Sequence, residues 1–154
     1  MSTRPKMESK DPPPLVVDLD GTLARTDTMH EQALTLVKAR PLRTLLLPAW
    51  LIRGKAHLKQ QLAQEATLDV DTLPYNEVLL DWLNSEKDDG RTLVLCTAAD
   101  AQTAHAVARH LCIFDEVIAS DGQTNLAATR KADRLVQRFG HRGFDYAGNS
   151  RDDL

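Results

Sequence analysis

Cysteine, aromatic residues and surplus charge are all scarce in this 154-residue chain. Its two cysteines, Cys96 and Cys112, exclude a disulfide framework, and the reducing cytoplasm is the expected compartment. Aromatics make up 5%, so the core has to be built from Leu, Val, Ile and Ala. The 19 basic and 22 acidic residues leave a net charge of −3, which lacks the basic footprint of a nucleic-acid binder. No apolar run approaches the roughly 18 residues of a membrane span. Residues 1–14 are polar and end in Pro12-Pro13-Pro14, a flexible tail rather than a secretory signal. His30, His57, His105, His110 and His141 show no metal-ligand spacing and read as structural or surface residues.

What is present is a change of periodicity along the chain. Leu15-Val16-Val17, bounded by prolines and a glycine, reads as a short buried strand. A helical stretch follows. Thr28-Met29-His30-Glu31 has the form of a capping box with Thr28 as N-cap, and Arg40-Pro41 ends that helix. Leu42 to Arg53 is unusually apolar and is split by Pro48. Lys55 to Ala66 is amphipathic. A helix over about Pro74 to Lys87 is expected to turn Val78, Leu79, Trp82 and Leu83 inward. Thereafter strands and helices alternate: a strand at Thr92–Cys96, a helix from an Asp100 N-cap to Leu111, a strand at Glu116–Ala119, a helix from Asn125 to Phe139 closed by Gly140, and a strand at Phe144–Ala147. This pattern predicts an α/β fold, a Rossmann-like three-layer parallel sheet of about four strands, with a small helical cap inserted after the first strand, over about 24–87.

In such a sheet, ligands bind beyond the carboxyl ends of the strands. Asp18 and Asp20, Thr97, Ser120 and Asp121, and Gly148-Asn149-Ser150 occupy those ends. Asp18 and Asp20 are two apart in extended chain and share a side. Two carboxylates that close favour a neutralising cation, and Mg²⁺ accepts one or two carboxylates with phosphate and water. Gly21 permits a sharp turn and close backbone approach. Asp20-Gly21-Thr22 is equally common turn chemistry, and on these residues alone both readings stay open.

The segment Val17-Asp18-Leu19-Asp20-Gly21-Thr22 resembles the first motif of the haloacid dehalogenase (HAD) superfamily, most of whose members are phosphatases, and the later motifs follow in order to Leu154. The resemblance implies a Mg²⁺-dependent phosphohydrolase acting on a small phosphorylated metabolite. In it Asp18 is the nucleophile that becomes an aspartyl phosphate, and Asp20 is the general acid/base. Thr97, with the adjoining Ala98, meets the phosphoryl oxygens, as do Gly21 and Thr22. Asn149 and Asp153 fall at the acidic metal positions, completing with Asp18 and Asp20 the implied Mg²⁺ site. Asn149 removes one negative charge there, which implies weaker binding. The lysine of the third motif would fall near Ala127, which has no charge. Lys131 lies one turn on and shares the same helix face, so it either substitutes or is a solvated helix residue. Ala127 and Asn149 motivate the alternative, a degenerate domain that binds a phosphate ligand or a partner domain without turnover.

Longer segments are similar to the HAD domain that precedes a membrane-embedded UbiA-family prenyltransferase in some bacterial proteins. They include Thr26–Glu31, Leu73–Asn76, Ser120-Asp121-Gly122 and Arg142–Gly148. That resemblance implies a front portion of a longer protein, attached to a C-terminal membrane domain and placed at the cytoplasmic face of the membrane. It also implies a core truncated at its C-terminus. The stretch Leu42–Ile52 has two readings, the core of the cap or a surface docked on a membrane with Arg40, Arg43, Arg53 and Lys55 as basic flanks.

Overall fold

Side-chain alternation along the first strand sets the architecture. In the computed structural model, which describes residues 11–126 and 129–149, β1 (Leu15–Val17) is buried throughout. Leu15 and Val17 point to one face and Val16 to the other, as successive residues of a strand must. β1 pairs in parallel with β2 (Leu93–Asp100) and with β4 (Asp145–Ala147), and β2 pairs in parallel with β3 (Glu116–Ser120), giving the order β3-β2-β1-β4. Leu15, Val17, Leu93 and Leu95 form one cluster with Ala104 and Val107 of α5 (Ala101–Leu111) and with Leu83 of α4 (Glu77–Asp88). Val16, Val94 and Cys96 form the other with Leu135 of α6 (Thr129–Phe139). Helices on both faces of a parallel sheet make the expected three-layer α/β fold.

Between β1 and β2 the chain builds α1 (Thr28–Ala39), a 3₁₀ turn at Pro41–Leu46, α2 (Leu47–Ile52) and α3 (Lys55–Glu65). These helices have their own small core of Leu36, Trp50, Leu62 and Ala66. They are tied to α5 by side-chain polar contacts. Gln32 Nε2 donates to Thr103 Oγ1 at 2.9 Å and Gln102 Nε2 to the Ala63 carbonyl at 3.2 Å. Leu36 is fully buried at the centre of this core. Leu36→Ala is expected to cost about 2–5 kcal/mol, the range for a buried leucine that leaves a cavity, measured as a lowered urea midpoint.

Four local expectations are corrected. The N-cap of α1 is Asp27, whose carboxylate accepts from the Met29 and His30 amides. Thr28 is already helical, and Glu31 instead accepts from Thr26 Oγ1 at 2.8 Å. α4 starts at Glu77 with Asn76 as N-cap, because residues 74–76 are held extended. Arg25 N donates to the Pro74 carbonyl and Asn76 N to the Leu23 carbonyl. That anchoring sets the rotation of α4, so Leu79, Leu80 and Leu83 face the sheet while Val78 and Trp82 face outward. In the apolar stretch, Trp50 and part of Leu47 enter the helical core, but Leu42, Leu45 and Ile52 are 82%, 77% and 86% exposed. The cap-core reading holds only for the former pair. Among the described residues no helix is long and apolar enough to cross a membrane.

Candidate active site

The carboxyl ends of β1, β2 and β4 bring the charged residues together. Directly after β1 the chain folds back on itself. Leu23 N donates to the Asp18 carbonyl and Ala24 N to the Leu19 carbonyl, while Asp18 N donates to Ala147 at the end of β4. Gly21 at the crown has φ +75°, a left-handed conformation costly to other residues. A Cβ there would overlap the side-chain amide of Asn149. The glycine thus serves both the turn and the close approach of the loop after β4.

Asp18 is buried by this turn, 5% exposed. Its Oδ1 accepts from Lys131 Nζ at 2.7 Å and its Oδ2 from Thr22 Oγ1 at 3.2 Å. Lys131 reaches it from the first turns of α6, is 2% exposed, and also donates to the Tyr146 hydroxyl at 3.1 Å, with its ammonium 5.7 Å from that ring's centroid. Burial alone pushes the lysine ammonium down, but the charge and hydrogen bond of Asp18, followed by Tyr146, lift it above the ordinary lysine range. The solvated-helix reading of Lys131 is thereby corrected. It reaches the site because the inward face of α6, marked by Leu135 one turn further on, points at the end of β1.

Asp20 follows two residues later. Its Oδ1 accepts from the Thr28 amide at 2.8 Å, using a donor that the start of α1 leaves unpaired. Burial raises its carboxyl above the usual range, opposed by the Thr28 bonds and reinforced by Asp27 and Asp18. A carboxyl so raised stays protonated to higher pH, the property a general acid needs. Thr97 is fully buried and its Oγ1 accepts from the Ala99 amide at 3.0 Å. The Ala98 carbonyl accepts from Ser120 Oγ at 2.9 Å and from Lys59 Nζ at 2.6 Å. Ser120 in turn accepts from the Leu126 amide at 2.7 Å, which pins the loop after β3. Cys96, one residue before Thr97, has its thiol pushed up to about 12 by burial, so it packs rather than reacts.

Two contributors escape a reading of the sequence. Tyr146 carries only the alternation of a strand as a signal. Lys59, on α3, looks like any solvated helix lysine, yet it donates to Ala98 and, at 3.2 Å, to Asn125 Oδ1. Burial lowers its ammonium against the opposing pull of Asp20 and Asp27. Ala127, Ser150 and Asp153 lie outside the described residues.

The donor set fits a Mg²⁺ ion carried largely by its ligand. Among the described residues no group of three or more His, Cys, Asp or Glu gathers as a metal cage. Asp18 nevertheless stands at the end of β1 beside Ala147, and the Asn149 amide lies against Gly21; Mg²⁺ needs only one or two carboxylates beside phosphate and water.

With this geometry in view, the comparisons concern mainly the fold. No family model matches the chain. An uncharacterized protein, y4nM, of Sinorhizobium fredii is 38% identical over 142 residues. These are 92% of this chain and 27% of that protein, so the chain spans about a quarter of the curated relative it matches. Among solved structures it is similar to a substrate-bound phosphoserine phosphatase (TM-score 0.60, 12% identity, 95% of this chain and 81% of that one). It is also similar to a predicted phosphoglycolate phosphatase from Haemophilus somnus (0.57, 17%, 92% and 78%) and to a HAD family hydrolase from Salmonella enterica serovar Typhi (0.59, 14%, 93% and 59%). The fold is the Rossmann-like fold of HAD-superfamily phosphatases.

Proposed function

We propose that the chain is a Mg²⁺-dependent phosphohydrolase that cleaves phosphomonoesters of small metabolites through an aspartyl phosphate on Asp18. The observation that carries this reading is the buried Asp18–Lys131 pair, 2.7 Å apart, with Asp20 beside it at the carboxyl end of a parallel sheet. A cation beside a carboxylate favours its charged form, and the charged carboxylate is the form that acts as a nucleophile. Asp20, held by the α1 amide and raised by burial, supplies the proton.

In the first half-reaction an Asp18 oxygen bonds to phosphorus. The phosphorus–oxygen bond to the alcohol breaks, and Asp20 passes its proton to the leaving oxygen. In the second, a water attacks the phosphoryl group, Asp20 takes a proton from that water, and the Asp18 carboxylate leaves. Lys131 and the Thr97 hydroxyl stabilise charge on the phosphoryl oxygens throughout, and Gly21, Thr22 and Ala98 shape the pocket around them. Mg²⁺, when bound, neutralises and polarises the phosphoryl group. Asp18, Asp20 and Asn149 would hold it, with Asp153 as a further ligand. The match of nearly the whole chain to a quarter of a longer protein supports a unit that works beside further domains.

Asn149 favours a second reading, a domain that binds phosphate without turnover, because it lowers the charge available to the metal. Phosphate release from a panel of phosphomonoesters, titrated with Mg²⁺, separates the two. Wild type is expected to turn over at least one ester, and Asn149→Asp to shift half-saturation to Mg²⁺ concentrations lower by on the order of tenfold, since ligand charge tunes affinity. Turnover by Asn149→Asp alone establishes the second reading, and no Mg²⁺-dependent turnover by either rejects the phosphohydrolase.

A further inference from the structure

The hydrolytic residues leave Lys59 and the cavity at the start of α3 unused. Lys59 spans from α3 to the end of β2 and to Asn125 in the loop after β3. On the far side of Asn125 a cavity of about 580 Å³ opens between that loop and the start of α3. Arg53, Lys55, His57 and Arg130 line it, and no carboxylate does. Its walls approach closely, since a Cβ on Gly122 would meet the end of the Gln60 side chain of α3.

Several cations of the chain are paired: Arg40 and Arg43 share Glu65, Lys87 meets Asp115, Arg91 meets Glu86 and Asp145, and Arg138 meets Glu116. Arg53, Lys55, Lys59 and Arg130 have no carboxylate partner within ion-pair distance among the described residues, and the whole chain carries −3. Three positive groups, Arg53, Lys55 and Arg130, around one concavity lined by no carboxylate attract an anion, and guanidinium and ammonium groups suit phosphate oxygens. The volume lies within the range of small-ligand sites and exceeds what a lone phosphate needs.

We propose that this cavity binds a second phosphate or diphosphate group on the alcohol side of the substrate, with Lys59 at the junction between it and the reacting phosphate. The preferred substrates are then phosphorylated compounds that carry another phosphate at a distance from the one released. This rests on the phosphohydrolase reading, and the experiment separates the two. Steady-state kinetics compare a sugar monophosphate with the bisphosphate of the same sugar. Calorimetry follows inorganic diphosphate binding to wild type, to Arg53→Ala/Lys55→Ala/Arg130→Ala and to Lys59→Met.

Wild type is expected to show kcat/KM about tenfold or more higher for the bisphosphate, the scale of one charge-assisted contact. The triple variant is expected to bring that ratio toward one and to weaken diphosphate binding by a similar factor. The three substituted side chains project from the surface, so the variant retains its fold, and Lys59→Met reports on the junction independently. If nothing is hydrolysed but diphosphate binds and the triple variant loses it, the cavity stands and the phosphohydrolase reading falls. Equal kinetic preference in wild type and triple variant, or diphosphate binding unaltered by both substitutions, overturns the cavity proposal.

Discussion

Asp18→Asn is expected to abolish phosphate release, on the order of 10³-fold or more, as loss of a nucleophile does. The amide nearly matches the carboxylate in shape and can keep the contact with Thr22, so the effect is chemical. It cannot form the acyl phosphate, and the hydrogen bond from Lys131 falls on this same side chain. The same change also acts on stability. Lys131 is left as a buried ammonium facing an amide, and breaking a buried pair on one side costs about 3–5 kcal/mol. Activity is therefore measured well below the lowered melting temperature, with circular dichroism as a check of fold. Residual Mg²⁺-dependent release within tenfold of wild type would reject Asp18 as nucleophile.

The pair also predicts a pH dependence. In wild type the Lys131 ammonium is raised above its unfolded value, against burial, by the charge and hydrogen bond of Asp18 and by Tyr146. Its stabilisation is fully present below the unfolded lysine pKa of about 10.4 and is lost as pH climbs from there through the higher folded value. Asp18→Asn removes the contribution of Asp18, so the folded value moves down toward the unfolded one and the alkaline loss of stability shrinks. Urea unfolding between neutral and alkaline pH reads both slopes, and parallel curves would contradict the pairing.

Lys131→Met is the complementary experiment. It leaves the Asp18 carboxylate buried without its cation, at a similar cost of about 3–5 kcal/mol. Burial then favours the neutral acid, which does not attack phosphorus. Turnover is expected to fall by about 10²–10³-fold, the scale of one lost electrostatic donor. The double variant Asp18→Asn/Lys131→Met removes both charges and is expected to be more stable than either single variant, because neither half is orphaned. Additive losses in this cycle would show that the two side chains do not share their energy. A Lys131→Met protein with wild-type stability and turnover would show that Lys131 contributes neither to the pair nor to catalysis.

The parts legible in the sequence were those fixed by near neighbours. Leu15–Val17 reads as a strand and Asp100 as an N-cap from adjacent residues alone, and both stand in the structure. The turn Asp18–Thr22 is closed by bonds within seven residues. Lys131 was only half legible. Helical spacing puts it on the face of Ala127, but whether that face meets Asp18 depends on the depth at which α6 packs on the sheet, a tertiary property. Lys59 was illegible, since its partners, Ala98 and Asn125, are 39 and 66 residues away. Val78 and Trp82 were misassigned for a related reason. A period of 3.6 defines a stripe, but the strand-like anchoring of residues 74–76 chooses which stripe turns inward. Leu42, Leu45 and Ile52 show that an apolar run need not be a buried one.

The strand order also has a consequence in time. β1 is made first, yet it lies between β2 and β4, and Asp18 is completed by Lys131, 113 residues later. At 5–20 residues per second, a ribosome takes roughly 6–23 s to cover that interval. The cluster of Leu36, Trp50, Leu62 and Ala66 is local in sequence and can close well before then, whereas the sheet must wait for non-local pairing. The helical layer is thus born ahead of the chemistry it adjoins, and the carboxylate emerges long before the lysine that will tame it.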